Sequence, residues 1–262
     1  MPELIEVEYY RNALEPIIGQ QLRSVVITPE SFLAPPGTPV SIFDCLIGAT
    51  LLSTRRVGKL LILELVDQGK SMREVGLRFG MTGRLLVDGK SPIDRLEYSS
   101  DRNDVAWDRA VLQFEGTVSI RDQRRLGSIE VDPDIGRLGP DATALDAAAL
   151  ARIVHGRTKT VKAILLDQAL VAGLGNLLCD EVLWRSCLAP TRPGCSLTSR
   201  EIVALEEQIH TVITELTKRG GSHRGDSFEL RESGAICPMC GATMRRETVA
   251  TRSTWWCSGH QR

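Results

Sequence analysis

The chain opens Met1-Pro2-Glu3-Leu4-Ile5-Glu6. Removal of Met1, the normal outcome when a small residue follows, leaves Pro2 with a free secondary amine. An α-amino group titrates near about 7.7–8, against about 10.4 for lysine, so a useful fraction is neutral and nucleophilic around neutral pH. Attack of such an amine on an aldehyde carbon gives an iminium ion, which stays charged and withdraws electrons. Glu3 stands beside it as a proton carrier. Taken alone, the same residues also describe a plain terminus ahead of a helix.

A second constellation lies near the other end. Cys237, Cys240, Cys257 and His260 form Cys-x2-Cys, sixteen intervening residues, then Cys-x2-His. Thiolates and imidazole at this spacing suit a tetrahedral structural zinc. The residues between the knuckles, Met244 to Trp256, are rich in β-branched and aromatic types, which predicts a β-hairpin with Arg252 near its exposed turn. A closed four-ligand site holds structure and does no chemistry of its own. Cys45, Cys179, Cys187 and Cys195 lie outside this set without regular spacing and read as reduced thiols of a cytosolic protein.

The elements that must position these groups follow from composition and pattern. With 262 residues, 42% hydrophobic and 25% charged, the chain is long enough for one large domain or two ordinary ones. No apolar run reaches the length of a membrane span, and no basic-then-apolar leader opens the chain. The net charge of −1 gives no global sign of a polyanionic partner, but the distribution does. Residues 1–50 carry six acids and two arginines, residues 55–84 seven bases and three acids, and residues 218–262 eight bases and four acids. Local basic segments are what a phosphate-binding face needs, although solvated charged strands would have the same composition.

Apolar Val7, Tyr10 and Leu14 predict a helix over Glu6 to Leu14 that ends by Gly19, with Glu3 and Glu6 near its positive end. From Leu22 to Ile129 the pattern is of short strands, clearest at Leu60–Leu65 and Val111–Phe114, with turns at Pro35-Pro36-Gly37 and Asp88-Gly89. That predicts an N-terminal β-sandwich domain over residues 1–129. The Pro-, Gly- and acid-rich stretch 130–143 reads as a linker. Helices are predicted over 145–154, 159–166, 175–186 and 198–218, with a turn at Ala189–Cys195. The fold class is α+β and multidomain: the sandwich with its helix, a helical domain over 144–221, and a short loop plus zinc hairpin over 222–262.

Together these residues resemble the formamidopyrimidine-DNA glycosylase / endonuclease VIII family of bifunctional repair enzymes. The opening is similar to that family's Pro-Glu-Leu-Pro-Glu-Val-Glu, with Ile5 in place of the second proline. Val57-Gly58-Lys59-Leu60-Leu61 looks like its Arg-Gly-Lys strand, and Phe79-Gly80-Met81-Thr82-Gly83 like its Leu-Gly-Met-Ser/Thr-Gly loop. Arg124-Arg125-Leu126-Gly127 resembles its Arg-Arg-Phe-Gly loop, and Lys162 to Asn176 its helix–two-turns–helix signature. The zinc hairpin has the family's spacing, with His260 for the last cysteine.

The resemblance implies roles. Pro2 would attack C1′ of a damaged nucleotide, Glu3 would protonate the opening sugar and move protons during elimination, and Glu6 would hold that site together. Lys59 would bind a phosphate beside the lesion, and Asn176, Lys162 and Arg252 would contact DNA. Met81, Arg124 and Leu126 would fill the void left by a flipped nucleotide, unless burial in the sandwich explains them. For Lys59 the alternative is an exposed strand lysine, and for Asn176 a helix cap. The implied partner is double-stranded DNA with damaged bases or abasic sites, the cofactor one structural zinc, and the setting a monomer in the bacterial cytosol or nucleoid. Ile5 should leave Pro2 and Glu3 less rigidly held, and Leu126 cannot stack as phenylalanine does. The fifteen residues Ser222 to Ile236 are fewer than in the family's 8-oxoguanine specialists. A homologue that binds damaged DNA without excising, a protein-contact role for the zinc hairpin, and a glycosylase specialised for bulky adducts are the competing readings.

Overall fold

A run of apolar residues with little periodicity, Leu60 to Val66, marks the strand buried most deeply in the first half of the molecule. In the computed structural model, which describes residues 2–262 apart from Arg95, Tyr98, Asp101 and Asn103, it is the third of eight strands there. One antiparallel sheet has the order β2 (Thr50–Val57), β3 (Leu60–Val66), β4 (Met72–Arg78), β8 (Ser128–Val131). The other runs β1 (Ser24–Ile27), β6 (Asp108–Gln113), β7 (Thr117–Arg121), β5 (Arg84–Val87). Leu61, Leu63, Leu65, Val75 and Leu77 of the first sheet share one core with Leu85, Ala110, Leu112, Val118 and Ile120 of the second. The alternating side chains of both inner faces thus make the sandwich.

Helix α1 (Leu4–Ala13) packs on β2 and β3 and sends Val7 and Tyr10 into that core. It starts two residues earlier than the apolar spacing indicates, because Glu3 caps it. Its end comes before Gly19: Pro16 has no N–H to continue the helical ladder, and a 3-10 turn, Glu15–Ile17, follows instead. Ile5 sits in the first turn of α1 and is 1% exposed. The loosening expected from loss of a proline is therefore offset by core packing.

The chain divides into two compact units at Ile135/Gly136. Strand β8 occupies the first part of the 130–143 stretch, so that segment is not all linker. The second unit contains α2 (Ala147–Val154), α3 (Val161–Leu166), α4 (Asn176–Arg185) and α5 (Ser199–Arg219), followed by a hairpin of β9 (Arg245–Val249) and β10 (Arg252–Trp256). Asp146 and Thr160 cap α2 and α3 through side-chain oxygens, and Thr198 with Glu201 forms a capping box on α5. Helix α4 is buried from Asn176 through Trp184, on all sides, and contacts α3, α5 and β10. A helix buried all round is the post of its unit, and its polar residues must find partners inside. Among the described residues, no helix is long and apolar enough to cross a membrane.

Candidate catalytic and nucleic-acid-binding sites

The first unit builds its site on the N-terminus of α1. Glu3 and Glu6 form a reciprocal capping box: the Glu3 side chain accepts from the Glu6 backbone, and the Glu3 N–H donates to Glu6 Oε2 at 2.8 Å. Both acids are essentially buried, at 0% and 1% exposure. The box satisfies backbone donors that an uncapped helix start would leave open, and it fixes the chain direction at Pro2, itself buried. The positive end of the helix favours both carboxylates.

Two neighbours tie this terminus to the rest of the unit: Tyr10, read from the sequence only as an apolar helix position, and Arg56, read only as one of a basic run. Tyr10 packs against Phe79 with ring centroids 4.6 Å apart and planes tilted by 49°, and donates from its hydroxyl to Gly83 O at 3.3 Å. Burial, reinforced by Glu6, pushes the Tyr10 phenol far above its ordinary range, so it stays a neutral donor. Arg56 donates to Glu8 Oε2 at 3.0 Å on α1 and to Gly58 O at 2.8 Å. Lys59 is the next residue. It is half-buried in the tight β2–β3 turn, not on a strand, because Gly58 takes a left-handed φ of 58°. Arg56 therefore joins the turn carrying Lys59 to the helix carrying Glu3.

The three proposed void-filling residues come together on two loops of the same unit. Met81 is half-buried, Arg124 exposed, and Leu126 48% exposed, so Leu126 is not a sandwich core residue. Arg124 Nη1 lies 3.8 Å from Met81 Sδ. The loop backbones press together so closely that a Cβ on Gly80 would sit 2.5 Å from Leu126 C and O, and one on Gly127 2.5 Å from Arg78 O. Sequence reasoning also missed Asp122, the buried residue ahead of Gln123 and Arg124. An aspartate opening a loop is an Asx-turn signal, and that signal was available.

In the second unit the expected DNA contacts divide. Arg252 is exposed at the start of β10, opposite Val249, and exposed Arg245 and Arg246 stand at the far end of the same hairpin, opposite Trp256 and Trp255. The turn before it uses Ala250 and Thr251 at φ 51° and 61°, the left-handed pair of a tight hairpin turn. Asn176, 9% exposed, is the first residue of α4, with Gly175 as the cap, and donates from Nδ2 to Ser253 O at 3.0 Å. It joins α4 to the strand bearing Arg252.

Lys162 requires a correction. Its side chain is fully buried, with Nζ 2.5 Å from Asp180 Oδ1 and 2.6 Å from Thr254 Oγ1. The expected DNA contact is replaced in this structure by a cation enclosed away from water and paired on both sides. Asp180 Oδ2 also accepts from Arg231 Nη1 at 2.5 Å. Burial pushes the Asp180 carboxyl up, and Lys162 and Arg231 oppose that shift.

Cys237, Cys240, Cys257 and His260 converge, with all four ligand atoms within 4.8 Å of one another. Cys237 Sγ lies 3.3 Å from His260 Nδ1, and Cys240 Sγ 3.4 Å from Cys257 Sγ. A tetrahedral zinc with bonds of about 2.3 Å to sulfur spaces its ligands by about 3.8 Å, so the donor set fits one such ion with little movement. His260 presents Nδ1 to the thiolates while Nε2 lies 3.2 Å from Trp184 O on α4. That contact selects the tautomer a metal ligand needs.

A β-sandwich with a capped acid pair at its N-terminus, and a helical unit closed by a four-ligand hairpin, define the class of two-unit DNA glycosylases. The formamidopyrimidine-DNA glycosylase N-terminal domain matches residues 1–129, and the H2TH domain of the same enzymes matches residues 138–227. The formamidopyrimidine-DNA glycosylase of Paracoccus denitrificans is 33% identical over 98% of both chains, and that of Geobacillus kaustophilus 32% identical over the full length of both. Among solved structures, the Lactococcus lactis Fpg in complex with abasic-site DNA matches with a TM-score of 0.82 at 26% identity, covering both chains fully. MutM bound to DNA containing carbocyclic 8-oxo-G matches with a TM-score of 0.82 at 27% identity, again over both chains in full. The chain belongs to the formamidopyrimidine-DNA glycosylase family.

Lys162→Ala should destabilise the second unit by about 3–5 kcal/mol, since it strips a buried carboxylate of one of its two cations. Chemical denaturation measures this. The salt dependence of DNA affinity in the folded variant should match the parent. A stable Lys162→Ala protein whose affinity loses about one phosphate's worth of salt dependence would mean that Lys162 touches DNA directly.

Proposed function

We propose that this protein is a base-excision DNA glycosylase with abasic-site lyase activity, acting on double-stranded DNA as a monomer at the bacterial nucleoid. The observation that carries the reading is Pro2 next to the buried Glu3–Glu6 box on α1. Once Met1 is removed, the Pro2 nitrogen attacks C1′ of the damaged nucleotide and the base departs with its bonding electrons. Glu3 supplies the proton that opens the sugar. The resulting iminium acidifies C2′–H, whose loss expels the 3′ phosphate by β-elimination; a δ-elimination that also expels the 5′ phosphate is the alternative outcome. Lys59 places a point charge on a neighbouring phosphate, and Arg252 with its basic hairpin grips the backbone. Met81, Arg124 and Leu126 fill the void. Residues 1–129 form the catalytic domain, 130–143 the connection, 144–221 the helical DNA-binding domain and 222–262 the loop and zinc hairpin.

Borohydride should trap the protein covalently on an abasic duplex. Pro2→Gly and a form retaining Met1 should give no adduct. Efficient nicking by protein proven to keep Met1 refutes the assignment of Pro2.

One zinc per chain is held by Cys237, Cys240, Cys257 and His260, and it supplies structure alone. Because such a site forms with local folding, chelation should loosen the hairpin and weaken DNA binding while the sandwich stays folded. Metal analysis and hydrogen exchange check this, and zinc-free protein with full DNA affinity contradicts it.

The substrate reading rests on residues 222–236. That segment is held to α4: Asp226 N and Ser227 N donate to Glu181 at 3.2 and 2.8 Å, and Arg231 pairs with Asp180. A short, tethered segment supports a base site with little purine cover, and selectivity follows pocket shape and edge contacts. Single-turnover rates should therefore rank abasic sites, oxidised pyrimidines and ring-opened or further-oxidised purines above 8-oxoguanine. A fastest rate on 8-oxoguanine opposite cytosine defeats this ranking, and a fastest rate on a bulky adduct favours the specialised alternative.

A further inference from the structure

Asp122 is 0% exposed, yet all four strong contacts of its carboxylate are made with the two void-filling loops. Oδ1 accepts from Thr82 Oγ1 at 2.5 Å and from Arg124 N at 3.1 Å. Oδ2 accepts from Leu126 N and Gly127 N, each at 2.8 Å. Thr82 follows Met81 directly. One buried carboxylate thus binds the loop of Met81 to the loop of Arg124 and Leu126. Its own backbone is fixed from the other side: Asp122 N donates to Trp107 O at 2.9 Å, and buried Arg109 donates through Nε to Asp122 O at 2.7 Å.

The physical logic is that of an anion in a nest of donors. A carboxylate in the interior is tolerable only when its lone pairs are met, and here three backbone N–H groups and one hydroxyl meet them. Those three N–H groups belong to residues 124, 126 and 127, so loop shape and charge satisfaction are one constraint. Arg125 between them takes a left-handed φ of 55°, a conformation that a non-glycine residue holds only when its surroundings impose it. The loops cannot slide apart without stranding a buried charge. The close approach of Gly80 and Gly127 leaves no room for them to slide together.

We infer that Asp122 is the positioning residue of the void-filling device, locking Met81, Arg124 and Leu126 into one preorganised wedge. The inference rests on the reading of those three residues as void fillers. Asp122 touches no DNA in this role and acts through the loops. A wedge set in advance inserts at a smaller ordering cost than one assembled on DNA.

The test uses the full-length protein and DNA with an abasic site, so that no particular lesion is assumed. Asp122→Asn keeps the size but turns an N–H2 toward backbone donors. Two measurements are made: single-turnover borohydride trapping on an abasic duplex and on the same abasic strand alone, and the fluorescence of 2-aminopurine placed opposite a tetrahydrofuran site. The parent should trap the duplex faster than the single strand, and Asp122→Asn should lose about tenfold of that duplex rate, the effect of stranding one or two buried donors. Single-strand trapping should stay within about threefold, since no stacked duplex has to be opened there. The 2-aminopurine signal should fall in parallel. Thr82→Val, which removes a single donor and keeps the aspartate, should give a smaller loss of the same kind. Leu126→Ala and Met81→Ala are the controls for the underlying reading. Loss of the duplex advantage in those two with none in Asp122→Asn or Thr82→Val overturns the positioning role alone. No loss in any of the four overturns the void-filling reading and the inference with it. Equal losses on duplex and single strand for Asp122→Asn mean general destabilisation and also overturn it.

Discussion

A carboxylate taken out of water must be surrounded by donors, and that requirement organises both halves of this protein. In the first unit Asp122 draws in residues 82, 124, 126 and 127; in the second, Asp180 draws in Lys162, Arg231 and the Trp255 N–H. Leaving either charge short of partners costs several kcal/mol. The chain segments that satisfy them are the ones the functional reading depends on: void-filling loops in one case, the zinc hairpin and the 222–236 segment in the other. Glu181, the neighbour of Asp180, repeats the device by accepting from Asp226 N, Ser227 N and Arg185 Nε.

Local signals and long-range ones differ in how well the sequence conveys them. The sandwich and the five α-helices were legible because apolar spacing and caps are properties of neighbouring residues. The zinc residues were legible because ligand spacing within each knuckle is short. Lys162 was misplaced because its partners stand 18 and 92 positions away, and no periodicity encodes them. Within a short apolar helix, Val161-Lys162-Ala163-Ile164-Leu165-Leu166, a lysine that pairs inward looks the same as one that points to solvent. Lys59 was read as a strand residue since β-branched and apolar neighbours flank it. Only the left-handed Gly58 reveals the turn. The links made by Arg56 to Glu8 and by Tyr10 to Phe79 and Gly83 were hidden for the same reason as those of Lys162: each partner stands far along the chain.

The departures from the family's usual residues each have a physical counterpart. Ile5 forgoes the fixed φ of proline and is held by burial and by the capping box around it. Leu126 is half-exposed on a loop whose N–H groups at 124, 126 and 127 donate to the Asp122 carboxylate. The leucine presents a smaller apolar surface than phenylalanine from a loop that Asp122 ties down. His260 replaces a thiolate with a neutral imidazole, which makes the ligand set less negative. The contact of Nε2 with Trp184 O ties that ligand to α4 in a way a cysteine cannot.

That last contact also determines how a disturbance at the metal would travel. Trp184 packs in one small cluster with Cys237, Met244 and Cys257, and it sits on the same fully buried helix as Asn176, Asp180 and Glu181. Asn176 bonds to Ser253 next to Arg252, and Asp180 accepts from the Trp255 N–H. The hairpin is therefore fastened to α4 at three places: near its turn, at mid-strand and at the metal. Without the metal-end fastening, the Asn176–Ser253 bond and the buried Asp180 cluster remain to hold the hairpin. A domain this small draws little stability from the hairpin's own core. The position of Arg252 is thus coupled through helix α4 to the cluster of Cys237, Cys240, Cys257 and His260. At the Pro2 terminus the same role falls to the capping box of Glu3 and Glu6 on α1.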